Sequence, residues 1–205
     1  MDIQAYLRRI KYSGSDNPTS ATLCRLQVAH LRSVPFESLD IHLGHPIVLE
    51  LAALFNKIVI QRRGGFCYEL NGLFAWLLQE LGFKVTLLSA SDAQPNGGFG
   101  PEFDHLALEV ECPADPDPAI RWLVDVGWGD TFGELLRLDQ FNVEQADGLR
   151  TYRIDDADDG YYDLWQRNYD GKRLITTVNG QREERPADDE TTYNQLLKEK
   201  FGVEL

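Results

Sequence analysis

The chain has 205 residues, with 20 Lys and Arg against 33 Asp and Glu and a formal net charge of −13. That balance disfavours binding to nucleic acid, whose phosphates select Lys and Arg, and the apolar runs are too short to span a bilayer. The length suffices for one large domain or two small ones. The odd set Cys24, Cys67 and Cys112 offers neither a disulfide framework nor a metal-ligand spacing.

Asp2 stands as an N-cap before Ile3, Tyr6, Leu7 and Ile10, which share one helical face, and this predicts a helix over 3–12. The start lacks the apolar core of a signal peptide, so the cytoplasm is the expected compartment. Further helices are expected over 19–32 and 49–59. The run Arg62-Arg63-Gly64-Gly65-Phe66-Cys67-Tyr68-Glu69-Leu70-Asn71 then leads into an amphipathic helix. Its apolar face is Leu70, Leu73, Phe74, Leu77, Leu78 and Leu81, and Gly82 is its stop. Cys67 falls in or just before the first turn, where unpaired N–H groups and the helix dipole favour an anion. A cysteine there is suited to serve as a thiolate nucleophile.

Beyond residue 84 the pattern changes to strands, over 84–89, 103–110, 121–126, 150–154, 161–168 and 173–178. Gly97-Gly98 and Asp170-Gly171 mark turns between them. Asn179-Gly180 opens a tail that ends in a helix over 190–201. The chain thus divides into a helical region, 1–84, a strand-rich region, 85–178, and a C-terminal segment, 179–205. The acidic runs Asp155-Asp156-Ala157-Asp158-Asp159 and Asp188-Asp189-Glu190 read as solvated turns; their spacing is not that of a calcium loop.

Leu106, Leu108 and Val110 occupy one face of the strand over 103–110, and His105 lies on the other. In the strand over 121–126, Trp122, Val124 and Val126 alternate with Leu123 and Asp125. The proline-rich segment 112–119, which begins at Cys112, is a loop. If the two strands form an antiparallel hairpin, reflection through a loop middle near Asp115 or Pro116 sets His105 opposite Asp125 or Val126. A one-residue slip would turn Asp125 to the other face. A helix-start cysteine with a neighbouring His–Asp pair has the parts of a nucleophilic site. The imidazole takes the thiol proton, and the carboxylate fixes the tautomer and stabilises the imidazolium.

The segment 62–71 resembles the nucleophile signature of the arylamine N-acetyltransferases. Val34-Pro35-Phe36-Glu37-Ser38-Leu39 resembles their Pro-Phe-Glu-Asn block, with Ser38 in place of Asn. Asp104-His105-Leu106 and Val124-Asp125-Val126-Gly127-Trp128-Gly129 are similar to the segments that carry that family's His and Asp. The resemblance implies an α+β fold: an N-terminal helical bundle, an antiparallel β-barrel-like region, and a C-terminal α/β lid. It also implies a cysteine-protease-like Cys-His-Asp arrangement. The C-terminal segment is expected to be shortened here by an internal loss near Tyr169–Leu174.

The resemblance implies acetyl-CoA as co-substrate, no metal, and a small arylamine or hydrazine as acceptor. Cys67, His105 and Asp125 take the catalytic positions. Phe36, Tyr68 and Trp128 match residues lining the acceptor pocket, and Gly127 and Gly129 match a loop beside the CoA arm. Glu37 and Arg62 match a pair that braces the nucleophile loop. The function implied is ping-pong acetyl transfer through an acetyl-cysteine. A related amide synthase or thiol hydrolase with the same triad, or a catalytically impaired ligand- or partner-binding remnant, are the alternatives.

Overall fold

Asp2 accepts the Gln4 N–H at 2.8 Å and so caps α1 (Ile3–Arg9). The helix stops short of the expected 3–12 because Lys11 takes a positive φ of 57°. This is a computed structural model, and it describes residues 1–94, 98–129, 132–147, 150–157, 160–168 and 171–179. The expected turn at Gly97, the Asp170 turn, the tail helix over 190–201 and most of the segment 179–205 lie outside the described residues. α2 (Ser20–Ser33) is capped by Thr19, and its N-terminal Ser20 N–H is held by Asp115 from the proline-rich loop. The short α3 (Leu39–Leu43) follows. α4 (Leu51–Phe55) runs into a π-helical turn, Asn56–Ile60, and α5 (Cys67–Glu80) completes the helical layer.

α5 was expected to be amphipathic, yet every residue from Cys67 to Leu78 is buried. It packs against α4, α1, β1 and β2 together, so no flank is left for water. Its two polar residues in that stretch, Glu69 and Asn71, are buried because both are paired, as described below.

Eight strands form one antiparallel sheet: β1 (Lys84–Asp92), β2 (His105–Glu111), β3 (Arg121–Val124), β4 (Leu136–Arg137), β5 (Glu144–Ala146), β6 (Thr151–Asp156), β7 (Tyr161–Asn168) and β8 (Gly171–Asn179), in the order β4-β3-β2-β1-β8-β7-β6-β5. The backbone ladder does not close, so the barrel expectation is corrected to a curled open sheet. Its two edges are nonetheless joined by one side chain. The Gln145 amide on β5 accepts from the Arg137 N–H of β4 at 2.7 Å and donates to the Arg137 carbonyl at 3.0 Å. One side-chain amide there stands in for a missing ladder step.

β2 is buried on both faces. Leu106, Leu108 and Val110 join the helical core with Leu70, Leu73 and Phe74. Ala107 joins a second core with Leu88, Leu123, Leu136, Tyr152 and Leu164. Because that second core draws on strands from both ends of the sheet order, the sheet must wrap around it.

The β2–β3 ladder runs from Glu111↔Arg121 to Leu108↔Val124. Extended by one step it sets Ala107 against Asp125. His105 and Asp125 are therefore diagonal neighbours, a two-residue offset from the direct opposition expected. Side chains alternate with period two, so the offset keeps both on one face. The loop expectation for 112–119 also needs one correction. Cys112 is 1% exposed and packs into the helical core rather than lying in an exposed loop.

Candidate active site

Cys67 opens α5 and is buried at 8% exposure. The turn before it is fixed by Glu69, whose carboxylate reaches back to the Phe66 N–H at 3.1 Å. His105 opens β2, and Asp125 follows the last residue of β3. The His105 Nε2 lies 2.6 Å from the Asp125 Oδ2, with both side chains buried. The Cys67 thiol interacts with the same imidazole. Burial works against the imidazolium, but the Asp125 charge and hydrogen bond, reinforced by Cys67, outweigh it and raise His105 to about 10. The Trp128 ring stands edge-on to the imidazole, with centroids 4.6 Å apart.

Asn71, one helical turn beyond Cys67, ties these parts together. Its Nδ2 donates to the Leu106 carbonyl at 2.6 Å and to the Asp125 Oδ1 at 2.8 Å, while its Oδ1 accepts the Val126 N–H at 2.8 Å. The Gly127 N–H also donates to the Asp125 Oδ1, at 2.7 Å. One asparagine thus links the cysteine's helix to the strand of His105 and the turn of Asp125.

A partly buried ionic network supports the loop before Cys67. Lys57, on the π-helical turn, bridges Asp40 at 2.8 Å and Glu69 at 2.6 Å. Arg63 bridges Asp40 and Glu37, both at 2.8 Å. Hydrogen bonds from Arg63 and then Lys57 hold the Asp40 carboxyl well below the usual carboxylate range. Burial pushes Glu69 up despite Lys57. On the far side, buried Arg9 donates to the carbonyls of Ile58, Ser33, Arg62 and Arg63, closing the backbone of this loop over α1.

Residues 19–172 match the family model described as N-acetyltransferase. The arylamine N-acetyltransferase of Mycolicibacterium smegmatis is 42% identical over 150 residues, covering 71% of this chain and 54% of that protein. The chain belongs to the arylamine N-acetyltransferase family. The structure of the arylamine N-acetyltransferase from M. tuberculosis superposes with a TM-score of 0.81 at 35% identity, covering 90% of this chain and 68% of that one. The Mycobacterium marinum arylamine N-acetyltransferase in complex with CoA superposes with a TM-score of 0.80 at 33% identity, covering 96% of this chain and 71% of that one. The chain spans about half the length of the curated relatives it matches.

The remaining residues singled out by the family resemblance fall as follows. Phe36 is 47% exposed and pairs through its backbone with Gly65, just before the cysteine. Tyr68 is buried, and its hydroxyl donates to the Phe103 carbonyl, fastening the turn that leads into His105. Gly127 has a packing reason of its own. A Cβ there would lie 2.7 Å from the Cys67 Cα and 2.8 Å from the Asn71 Nδ2, so only glycine lets this turn approach the helix start. Gly129 holds a φ of +84°, a conformation that side chains resist.

The expected Glu37–Arg62 pair is not formed. Arg62 takes a positive φ of 59°, its carbonyl is held by Arg9, and it is Arg63 that reaches Glu37. The left-handed residue rotates the chain, and the brace moves one position along it.

Sequence reading overlooked Asn71, Asp40, Lys57, Glu69 and Arg9 as members of the site. Asn71 carried one usable signal: it is a polar residue with poor helix propensity, four positions from the cysteine, in an otherwise apolar helix. Glu69 carried another, as the third residue of that helix.

Proposed function

We propose that the chain is an acyltransferase that moves an acetyl group from acetyl-CoA to the nitrogen of an arylamine or hydrazine through an acetyl-Cys67 intermediate. The observation that carries this reading is the His105–Asp125 contact of 2.6 Å with the Cys67 thiol against the same imidazole. An imidazole that keeps its proton at neutral pH leaves the sulfur as the nucleophile.

In the first half-reaction the Cys67 sulfur bonds to the thioester carbonyl carbon. The bond to the CoA sulfur breaks, and the departing thiolate takes the proton from His105. In the second, the amine nitrogen attacks the acetyl-cysteine carbonyl, the carbon–sulfur bond to Cys67 breaks, and His105 receives the amine proton. Asp125 holds the ring tautomer and offsets the imidazolium charge throughout. The backbone N–H of Cys67, at a helix start where donors lack intrahelical acceptors, is placed to stabilise the oxyanion of each tetrahedral intermediate.

The chemistry of the relatives supports the choice of donor and acceptor. One of them is solved with CoA, and those named above are arylamine N-acetyltransferases. In this reading Phe36, Tyr68 and Trp128 form the acceptor side of the cleft, and Gly127 and Gly129 line the path of the CoA arm. Gly127 does so while also admitting the close contact with Cys67.

Incubating the chain with acetyl-CoA, quenching it in acid and mapping its peptides by mass spectrometry tests the reading. One acetyl group is expected on the Cys67 peptide, discharged on adding an arylamine with formation of the N-acetyl product. A chain that neither acquires the label nor forms product would overturn it.

A further inference from the structure

We propose that Asp92 selects the acceptor: it accepts an N–H from neutral or N–H-rich acceptors such as hydrazides and repels aromatic amines that carry a ring carboxylate. This rests on the acetyl-transfer reading above and narrows its substrate class.

Asp92 is the last residue of β1, and the register of that strand pairs Ala90 with His105. Side chains two apart on a strand share a face, so Asp92 stands one step beyond His105 on the inner face of the curled sheet. Its Oδ1 is buried and has no hydrogen-bond partner among the described residues. Two other carboxylates of the site, Asp125 and Glu69, are answered. Asp125 receives His105, Asn71 and Gly127, and Glu69 receives Lys57 and the Phe66 N–H.

A buried acceptor without a donor is costly, and a ligand that brings an N–H satisfies it. Among the described residues Asp92's charged neighbours are His105, Asp104 and Asp125. Burial raises its carboxyl, the imidazolium lowers it, and the two aspartates add to the rise. With three carboxylates beside one imidazolium, the wall next to the proposed amine position is anionic. It favours a ligand that brings N–H donors and disfavours one that brings another negative charge.

The choice is read by comparing 3- and 4-aminobenzamide with 3- and 4-aminobenzoate. Each amide has nearly the shape of its acid, carries no charge, and offers an extra N–H. Two readouts are used on the full chain: kcat/KM for acetyl transfer, and protection of Cys67 from alkylation by the aromatic amine alone, which needs no turnover. The native chain should prefer the amide by about tenfold or more at one or both ring positions. Asp92→Asn, and Asp92→Ser as a second variant, should lose most of that preference while acetylation of Cys67 by acetyl-CoA continues. An equal response of the native chain to amide and acid, or a preference that survives in both variants, would overturn the inference. The same holds if no amine protects Cys67. Failure of Cys67 to accept acetyl at all, with the protection ratio intact, would instead strike the acetyl-transfer reading and leave Asp92 as a ligand selector.

Discussion

His105 holds its proton to about pH 10 against an ordinary value of 6.5, and this has a measurable consequence for stability. A base whose pKa is raised by folding stabilises the native state fully below the unfolded value. The contribution fades as pH climbs through the folded value. The melting-temperature advantage of the native chain over His105→Gln should therefore shrink between about pH 6.5 and pH 10. A constant difference across that window would show that the imidazole does not bind its proton as the geometry implies. Catalysis should depend as sharply on the carboxylate. Asp125→Asn keeps the contacts to Asn71 and Gly127 but loses the charge, and turnover should fall by about 10⁴-fold, the scale for neutralising the carboxylate of such a triad. Near-normal turnover would remove Asp125 from the mechanism. Among the thiols, burial pushes Cys112 up to about 12 and also raises Cys24. Alkylation at mildly acidic pH should label Cys67 first, and peptide mapping reads the order. Cys67, His105 and Asp125, the side chains proposed to carry the chemistry, were legible in the sequence because rare residue types fell at a helix start and on neighbouring strands. Asn71 and Lys57 were not, because their partners lie 35 to 55 residues away for Asn71, and on α3 and α5 for Lys57.

Long periodic elements were legible and short ones were not, for a physical reason. α3 spans five residues and β4 two, too few for a helical or alternating repeat to be seen. These elements form because tertiary partners hold them: Lys57 and Arg63 draw Asp40 of α3 against the nucleophile loop, and Gln145 fastens β4. The hairpin register differs from the expected opposition of His105 to Asp125 or Val126 by two residues or one, for a similar reason. The ladder is centred on Pro116, which sets His105 opposite residue 127, and which residue of a proline-rich loop forms the tip is fixed by tertiary contacts such as Asp115 with the Ser20 N–H. The brace itself is open to test. Lys57→Met should leave Asp40 and Glu69 facing one another without their shared cation. Removing one partner of a buried ion pair costs about 3–5 kcal/mol, which urea titration would register. An unchanged midpoint would mean that water replaces the cation. Gly127→Ala attacks the same loop from the other side. Its Cβ would press on the Cys67 backbone at 2.7 Å, so acetylation of Cys67 should suffer more than in Gly129→Ala, where the left-handed backbone is strained but the nearest atom is at 3.8 Å.

At the scale of the whole molecule, the residues proposed to carry the chemistry come from two layers that share one core. Leu106, Leu108, Val110 and Val124 of the sheet pack with Leu70, Leu73 and Phe74 of α5, so the helix start and the strand ends are held in register by apolar contact. That layering could be read from the change of periodicity near residue 84; the curl of the sheet could not, because it depends on apolar contacts between strands far apart in sequence and on side-chain contacts such as Gln145 with Arg137. The chain spans between 43% and 62% of the length of the first curated relatives it matches, and nothing in its sequence resembles a glycine-rich phosphate loop. An acetyl-cysteine is a thioester, and its lifetime depends on how well water is kept from it. On the acetyl-transfer reading, residues 1–205 taken by themselves should require more acetyl-CoA than the longer relatives and release part of their CoA without any amine present. Continuous measurement of free CoA, with and without arylamine, separates the cases. Release in both conditions, faster with amine, is the expected result. Strictly amine-dependent release at low acetyl-CoA would show that residues 1–205 shield the acyl-enzyme by themselves. If CoA appears in neither condition while Cys67 still reacts with an alkylating agent, the site binds without turning over, and the catalytic reading fails.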